Sequence, residues 1–238
     1  MGRDSNMRRW ETVDLSIYGR AFAVIGRNPL IFVFPIVATI LKIALGFLRG
    51  PLLDPIGGYD FGLFQLLFSL IDGFAFGLTL IAAESAWRGS RFTIASVWDE
   101  GKRKAGNILF ATVGLVFVVW VASLLGGFMG PVALLLPAVA LFFLIYTIPA
   151  AAIGGIPGGA ALSASIQRVK QNYLAAALLA IVALFLYFYV GVFLGAYIGT
   201  AAGFLAPYAT AIIQALVIAY LAAVFARQYD DLAFYRRY

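Results

Sequence analysis

Apolar residues run through this chain in six long stretches, roughly Pro29 to Leu48, Phe61 to Ala86, Ile108 to Met129, Val132 to Ile153, Tyr173 to Thr200, and Phe204 to Ala226. Each reaches or exceeds the ~20 residues that a helix rising ~1.5 Å per residue needs to cross ~30 Å of hydrocarbon. The stretches are continuous and do not alternate polar with apolar, which favours a helical bundle over a membrane barrel. The expected fold is all-α: a polytopic transmembrane bundle of six spans, forming one integral membrane domain over residues 1–238.

The polar positions have a pattern of their own. Asn28, Asn107 and Asn172 each follow a short segment that carries basic side chains, and each precedes an apolar run. Tyr18, Phe22 and Ile25 lie ten, six and three residues before Asn28, and Leu162, Ile166 and Val169 lie at the same offsets before Asn172. The middle segment keeps Val97 at the first offset from Asn107 but has Gly101 and Lys104 at the others. This spacing predicts three degenerate units, at about 10–86, 91–153 and 159–226, each a surface helix followed by a membrane hairpin, with a tail at 227–238. An apolar stripe beside Arg20 and Arg27, beside Lys102, Arg103 and Lys104, or beside Arg168 and Lys170 suits a helix lying in the interface plane. The alternative is a cytoplasmic extension of the following span. The asparagines are expected to end one helix or cap the next, and Pro29 fits the first turn of a new helix.

A segment such as LSASIQRVKQN leading into a hydrophobic hairpin, repeated over six spans, resembles a loose group of uncharacterised bacterial and archaeal membrane proteins. It also looks like the membrane domain attached to some glycerophosphodiester phosphodiesterases. The phosphodiesterase domain of that second group has no counterpart in these residues, so the resemblance implies fold and topology and carries no activity.

Charge adds a direction. Of the 17 lysines and arginines, 15 fall before span one, between spans two and three or four and five, or in the tail. Arg49 lies on the opposite side and Lys42 within a span. By the positive-inside rule both termini are expected in the cytoplasm, with the chain in the cytoplasmic (inner) membrane of a prokaryote. The same basic face would attract anionic headgroups; it reads as a topology signal, not as a nucleic-acid surface. The first residues carry scattered arginines and no apolar core, so the first span is expected to serve as an uncleaved targeting signal. At 63% hydrophobic and 12% charged residues, with a mean hydropathy of +0.96, the composition agrees with a membrane protein.

Candidate chemistry is sparse. With no cysteine and no histidine, thiolate catalysis, imidazole proton shuttles and Cys/His metal sites are excluded. No serine triad, GxxxxGK[ST] loop or intramembrane carboxylate pair is present, and neither an enzyme nor a cofactor is expected. Two ionisable residues do lie where charge is expensive. Lys42 is 14 residues beyond Asn28 and Asp72 is 15 residues before Trp87, so both stand roughly 21–22 Å above one boundary. Antiparallel neighbours would bring them to one depth, as an ion pair with Gln65 and Ser69 as further hydrogen-bond partners. Gln214 of the last span would be a further member of a polar cavity. Glu84 and Arg88 have the spacing of a surface pair. Gly73 and Gly77, and Gly191, Gly195, Gly199 and Gly203, form faces that let helices approach closely in lipid, within the bundle or between copies.

Two functional expectations follow. The first is a non-enzymatic scaffold, assembly factor or accessory subunit, with the lipid bilayer and a protein partner or a second copy as its contacts. The second is a small-solute or ion transporter or channel with a polar site around Asp72 and Lys42.

Overall fold

The computed structural model describes residues 13–53, 61–203 and 206–234; the side chains of 48–53, 61–63, 131, 199, 202, 207 and 231–234 are outside that description. Helix α1 (Ser16–Arg27) is followed by a 3-10 turn (Pro29–Phe32) and α2 (Val33–Leu53). Helices α3 (Phe61–Trp87) and α4 (Ile94–Gly127) come next, then α5 (Leu135–Phe143), α6 (Thr147–Ala152) and α7 (Gly158–Gln171). Then come α8 (Tyr173–Leu184), a π-helical segment (Phe185–Leu194), α9 (Gly195–Ala202) and α10 (Ala206–Phe234). Among the described residues there is no strand, and six helical stretches are long and apolar enough to cross a membrane.

The sixth of these stretches is the centre of the bundle. In α10, 56% of the most apolar window is buried, against 11% in the fifth stretch, and α10 packs on α1, α2, α3, the π segment and α9. Where α3, α6 and α10 meet, the core is built from alanines: Ala82, Ala83, Ala150, Ala151, Ala152, Ala222 and Ala223 are each fully buried. Small side chains let backbones approach, and in lipid that closeness replaces the hydrophobic drive with dispersion contacts. Tyr146, Val97, Val169 and Tyr229 complete this core at the end of the bundle where α1 and α7 lie. Toward the opposite end the spans are more open. Their exposed side chains there, Phe117, Trp120, Phe185 and Tyr189 among them, form a surface that acyl chains can solvate.

Helices α1 and α7 share one geometry. Each ends at an asparagine with non-helical backbone, Asn28 at φ −133° and ψ 67°, Asn172 at φ −147° and ψ 69°. The Asn28 amide donates back to the Val24 carbonyl at 2.9 Å, whereas the Asn172 side chain accepts from the Ala175 N–H at 3.2 Å and caps α8. One closes the helix behind it and the other opens the helix ahead. The buried faces also agree: Ile17, Ala21 and Ile25 lie eleven, seven and three residues before Asn28, as Ala161, Ser165 and Val169 do before Asn172. These faces are turned onto the bundle. Phe22, expected on the apolar stripe, is 67% exposed.

The middle segment departs from expectation. Helix α4 runs unbroken through Asn107 as 34 residues, so the second of the three expected surface helices is an extension of its span. Gly101 and Lys104 stand where the other two segments have apolar residues. Thr93 starts the extension with a capping box, its side chain accepting from the Ser96 N–H at 3.1 Å. Helix α10 continues through the first residues of the expected tail, to Phe234; the rest of the tail lies outside the described residues.

Span four is broken between α5 and α6. Pro149 has no N–H for the carbonyl four residues back, which ends the regular ladder near Ile145. Ser165 of α7 occupies the break: its hydroxyl accepts from the Tyr146 N–H at 3.0 Å and donates to the Phe143 carbonyl at 2.9 Å. Broken helices at membrane depth require such replacement partners for the freed backbone groups.

Candidate functional site: a charged pair beside a cleft

Lys42 projects from the middle of α2 and Asp72 from the middle of α3, and the two helices pack side by side. The Lys42 ammonium bridges the carboxylate, at 2.6 Å from Oδ1 and 2.8 Å from Oδ2 of Asp72. The pair is partly shielded: the lysine side chain is 23% exposed and the aspartate 47%. It is set by residue count alone, because antiparallel helices of equal pitch bring equal distances from one boundary to one depth.

On its other side Lys42 lines a cleft of about 590 Å³. The cleft starts at Gly203 and Ala206, in the turn between α9 and α10, and reaches Gln214, eight residues or roughly 12 Å further along α10. Thr39, Ile43, Phe68, Ala196, Thr200, Thr210 and Ala211 form its walls. Its volume falls in the range of small-molecule sites. Gly203 holds the turn in a left-handed conformation, φ +59°, which a side chain would disfavour. The threonines are engaged locally, Thr39 donating to the Pro35 carbonyl and Thr210 to that of Gly195. Among the described residues the Gln214 amide has no hydrogen-bond partner, and Gln214 and Lys42 are both lining residues of the cleft.

Two expected partners of the pair are elsewhere. The Ser69 hydroxyl donates to the Gln65 carbonyl of its own helix at 2.8 Å, as serines within helices commonly do. The Gln65 side chain is exposed and does not line the cleft.

The glycines divide by role. A Cβ on Gly73 would run into the Thr112 side chain, and one on Gly77 would lie 2.9 Å from Ile108 Cδ1, so both belong to the α3–α4 contact. Gly195 faces Thr210 and Gly191 approaches Gln214, so these two pack inside the chain, against α10. Gly203 is a turn glycine with nothing near its Cβ position and not a packing residue; the packing of Gly199 lies outside the described residues. Gly158, which sequence reasoning missed, brings the start of α7 against the backbone of Ala111.

The basic residues expected at the interface also separate. Arg27, Lys102, Arg103 and Lys170 are exposed, with Lys102 paired to Asp99 at 2.9 Å and Arg103 to Glu100. Arg20 pairs with Asp14 at 2.8 Å. The Ser16 hydroxyl and N–H, together with Arg20, hold the Asp14 carboxyl below its ordinary value, the hydroxyl contributing most. Lys104 and Arg168 turn inward instead. Lys104 donates to the Ala152 carbonyl at 2.8 Å and pairs with Glu100, and Arg168 donates to the Tyr229 carbonyl at 2.9 Å. Both satisfy carbonyls near helix ends, a role that the count of basic residues could not distinguish from headgroup binding.

A second polar space of about 410 Å³, also missed, lies at the α1 end between Glu84, Arg88, Glu100, Arg103 and Lys104. Arg88 meets Glu84 at 2.5 Å and Asp230 at 3.8 Å, which ties α3 to α10. Every charge in this space has an opposite neighbour, so it reads as a bracing network. No group of three or more Asp, Glu, His or Cys residues among those described could hold a metal ion. Comparison of the chain with family models, curated proteins and solved structures finds no match.

Proposed function

We propose that the protein is a non-enzymatic, multi-pass protein of a prokaryotic cytoplasmic membrane that binds a small solute or ion in the cleft beside Lys42, as a transporter or channel does. The observation that carries this reading is the asymmetry of the bundle. The α1 end holds the alanine core and a network of paired charges, while the cleft extends from Gly203 and Ala206 at the other end to Lys42, the cation of the charged pair. That is the arrangement expected of a site open to one side only. Both termini are taken as cytoplasmic from the distribution of basic residues, so the cleft would face outward. The matched geometry of α1 and α7 supports an origin in degenerate repeated units, with the middle one altered.

Because the native chain has no cysteine, access can be tested on single-cysteine variants without background labelling. Thr200→Cys and Ala211→Cys should react with a membrane-impermeant thiol reagent from the outside of intact cells. Lack of labelling at both, with labelling after the membrane is permeabilised, would reject an outward cleft.

The reading as an accessory subunit draws on another feature, the exposed charged face of Asp99, Lys102 and Arg103 at the start of α4. A stoichiometric partner retained in native nanodiscs and released by charge reversal at these three positions would favour it. A lone chain would weaken it.

A further inference from the structure

Charge balance constrains what the cleft can hold. Lys42 is its one charged residue among the described lining, and that charge is already matched by Asp72. An unpaired charge at this depth is expensive, so the ammonium must keep an anionic partner. A bound anion and an ionised Asp72 would place two negative charges on one positive one. We propose that the cleft binds a small monocarboxylate with an apolar body, and that each anion is accompanied by one proton, which is held by Asp72. The proposal rests on the solute-binding reading and names its substrate class.

The step balances. A proton from the aqueous phase converts the Asp72 carboxylate to a neutral carboxylic acid, and the ammonium, still charged, is released toward the cleft. The ligand carboxylate takes the place of Asp72 as its partner. The site is neutral before and after, so the anion never leaves a net charge in low dielectric. The unpartnered Gln214 amide can donate to the second ligand oxygen, and Ile43, Phe68, Ala196 and Ala211 receive the apolar body. A purely polar anion such as phosphate would find few donors there.

Few other groups compete at this depth. From Ala105 to Gly127, α4 has no charged residue, and neither has α10 from Ala206 to Ala226, where Tyr208 and Tyr220 are the titratable groups. Helix α9 carries Tyr197, and α2 carries Arg49, seven residues beyond Lys42, with its side chain outside the description. Helices α1 and α6 meet α3 at the far end; α1 carries Tyr18, Arg20 and Arg27 there, and α6 has no ionisable group. Glu84, Arg227, Tyr229 and Asp230 are also at that end.

The test is calorimetric titration of the full chain in nanodiscs with hexanoate, in two buffers of different ionisation enthalpy. The expected result is saturable binding with one proton taken up per anion and an affinity that falls as pH rises. Asp72→Asn, fixed in the neutral form, should bind hexanoate without proton uptake and independently of pH. The double variant Lys42→Met/Asp72→Asn keeps a neutral pair of similar shape and should fold but not bind hexanoate. Binding by the wild type without proton uptake would overturn the coupling and leave the solute site standing. No hexanoate binding by either wild type or Asp72→Asn would overturn the proposal. In that case binding of uncharged hexanamide would preserve the solute-binding reading, and its absence would remove that too.

Discussion

The guanidinium of Arg168, on α7, lies 3.6 Å above the centre of the Tyr229 ring and also donates to the Tyr229 carbonyl. One side chain thereby joins a helix that lies outside the spans to the last turns of the central helix α10. Removing it should loosen the α1 end. Arg168→Leu is expected to cost about 2–5 kcal/mol, the sum of a partly buried cation–π contact and a charged hydrogen bond. Lysine should recover less than half, because an ammonium cannot both stack flat on the ring and reach the carbonyl. Thermal unfolding of the purified variants in one detergent measures both; equal stability of the Lys variant and the wild type would show that charge alone suffices.

Gly73 faces Thr112 across the α3–α4 contact with no room for a Cβ. Gly73→Ala should therefore destabilise by about 1–3 kcal/mol, as overpacking does. Thr112→Ala removes Oγ1 and Cγ2, the two nearest of the obstructing atoms, and should restore part of that loss in the double variant. The coupling between the two changes, read from a double-mutant cycle, is expected to be at least about 1 kcal/mol. Additive effects would place the strain elsewhere.

Much of this architecture was legible in the order of residues, and the parts that were not share a cause. Six spans follow from run length, and the depth match of Lys42 and Asp72 follows from counting along two helices. Both are one-dimensional properties. The continuity of α4 is not, since Asn107 reads like Asn28 and Asn172 until the packing around it is known. There the Asn107 amide reaches the Gly155 carbonyl at 3.4 Å instead of closing its own helix. The inward turn of Lys104 likewise depends on where α6 ends. Ser165 looks like any serine on a surface helix, and its place in the gap of span four comes from the contact of α7 with α4 and α6. The cleft is lined jointly by α2, α3, α9 and α10, a juxtaposition that no local pattern records.

That reasoning makes Ser165 a sharp test of the break in span four. Ser165→Ala leaves the Tyr146 N–H and the Phe143 carbonyl without their bridging hydroxyl in a buried setting, at a cost of about 1–3 kcal/mol. Hydrogen exchange at the Tyr146 amide should accelerate while that in α3 is unchanged. Unaltered exchange at Tyr146 would mean that another group replaces the hydroxyl.

Asp14 supplies a pH dependence of known sign. Its folded-state carboxyl lies below the ordinary value, chiefly because the Ser16 hydroxyl donates to it. A depressed carboxyl stabilises the start of α1 fully above the unfolded value of about 3.9, and this is lost as pH falls through the folded value. The side chain is exposed, so the effect is local. Exchange of the first α1 amides should rise on acidification in the wild type. Asp14→Asn should show the raised exchange at neutral pH with little further change; an identical acid response in both would assign it to another group.

The Lys42–Asp72 pair separates structure from function in a single cycle. Asp72→Asn leaves an ammonium without a counter-charge at membrane depth, and Lys42→Met leaves a carboxylate in the same position. Either change should lower stability by about 2–3 kcal/mol, the scale of placing one charge near a helix centre. The double variant should be less affected than either, because two neutral groups carry no such penalty. That pattern holds whether or not the cleft takes a ligand. The ligand adds a further term: hexanoate can supply the missing negative charge to Lys42 only when Asp72 is neutral. At about pH 8 it should therefore raise the melting temperature of Asp72→Asn by more than that of the wild type, since binding to the folded state alone stabilises it. It should do nothing for the double variant. A recovery of the pair's stability in the double variant without any hexanoate effect on Asp72→Asn would leave the ion pair as a packing device and remove the anion from the cleft.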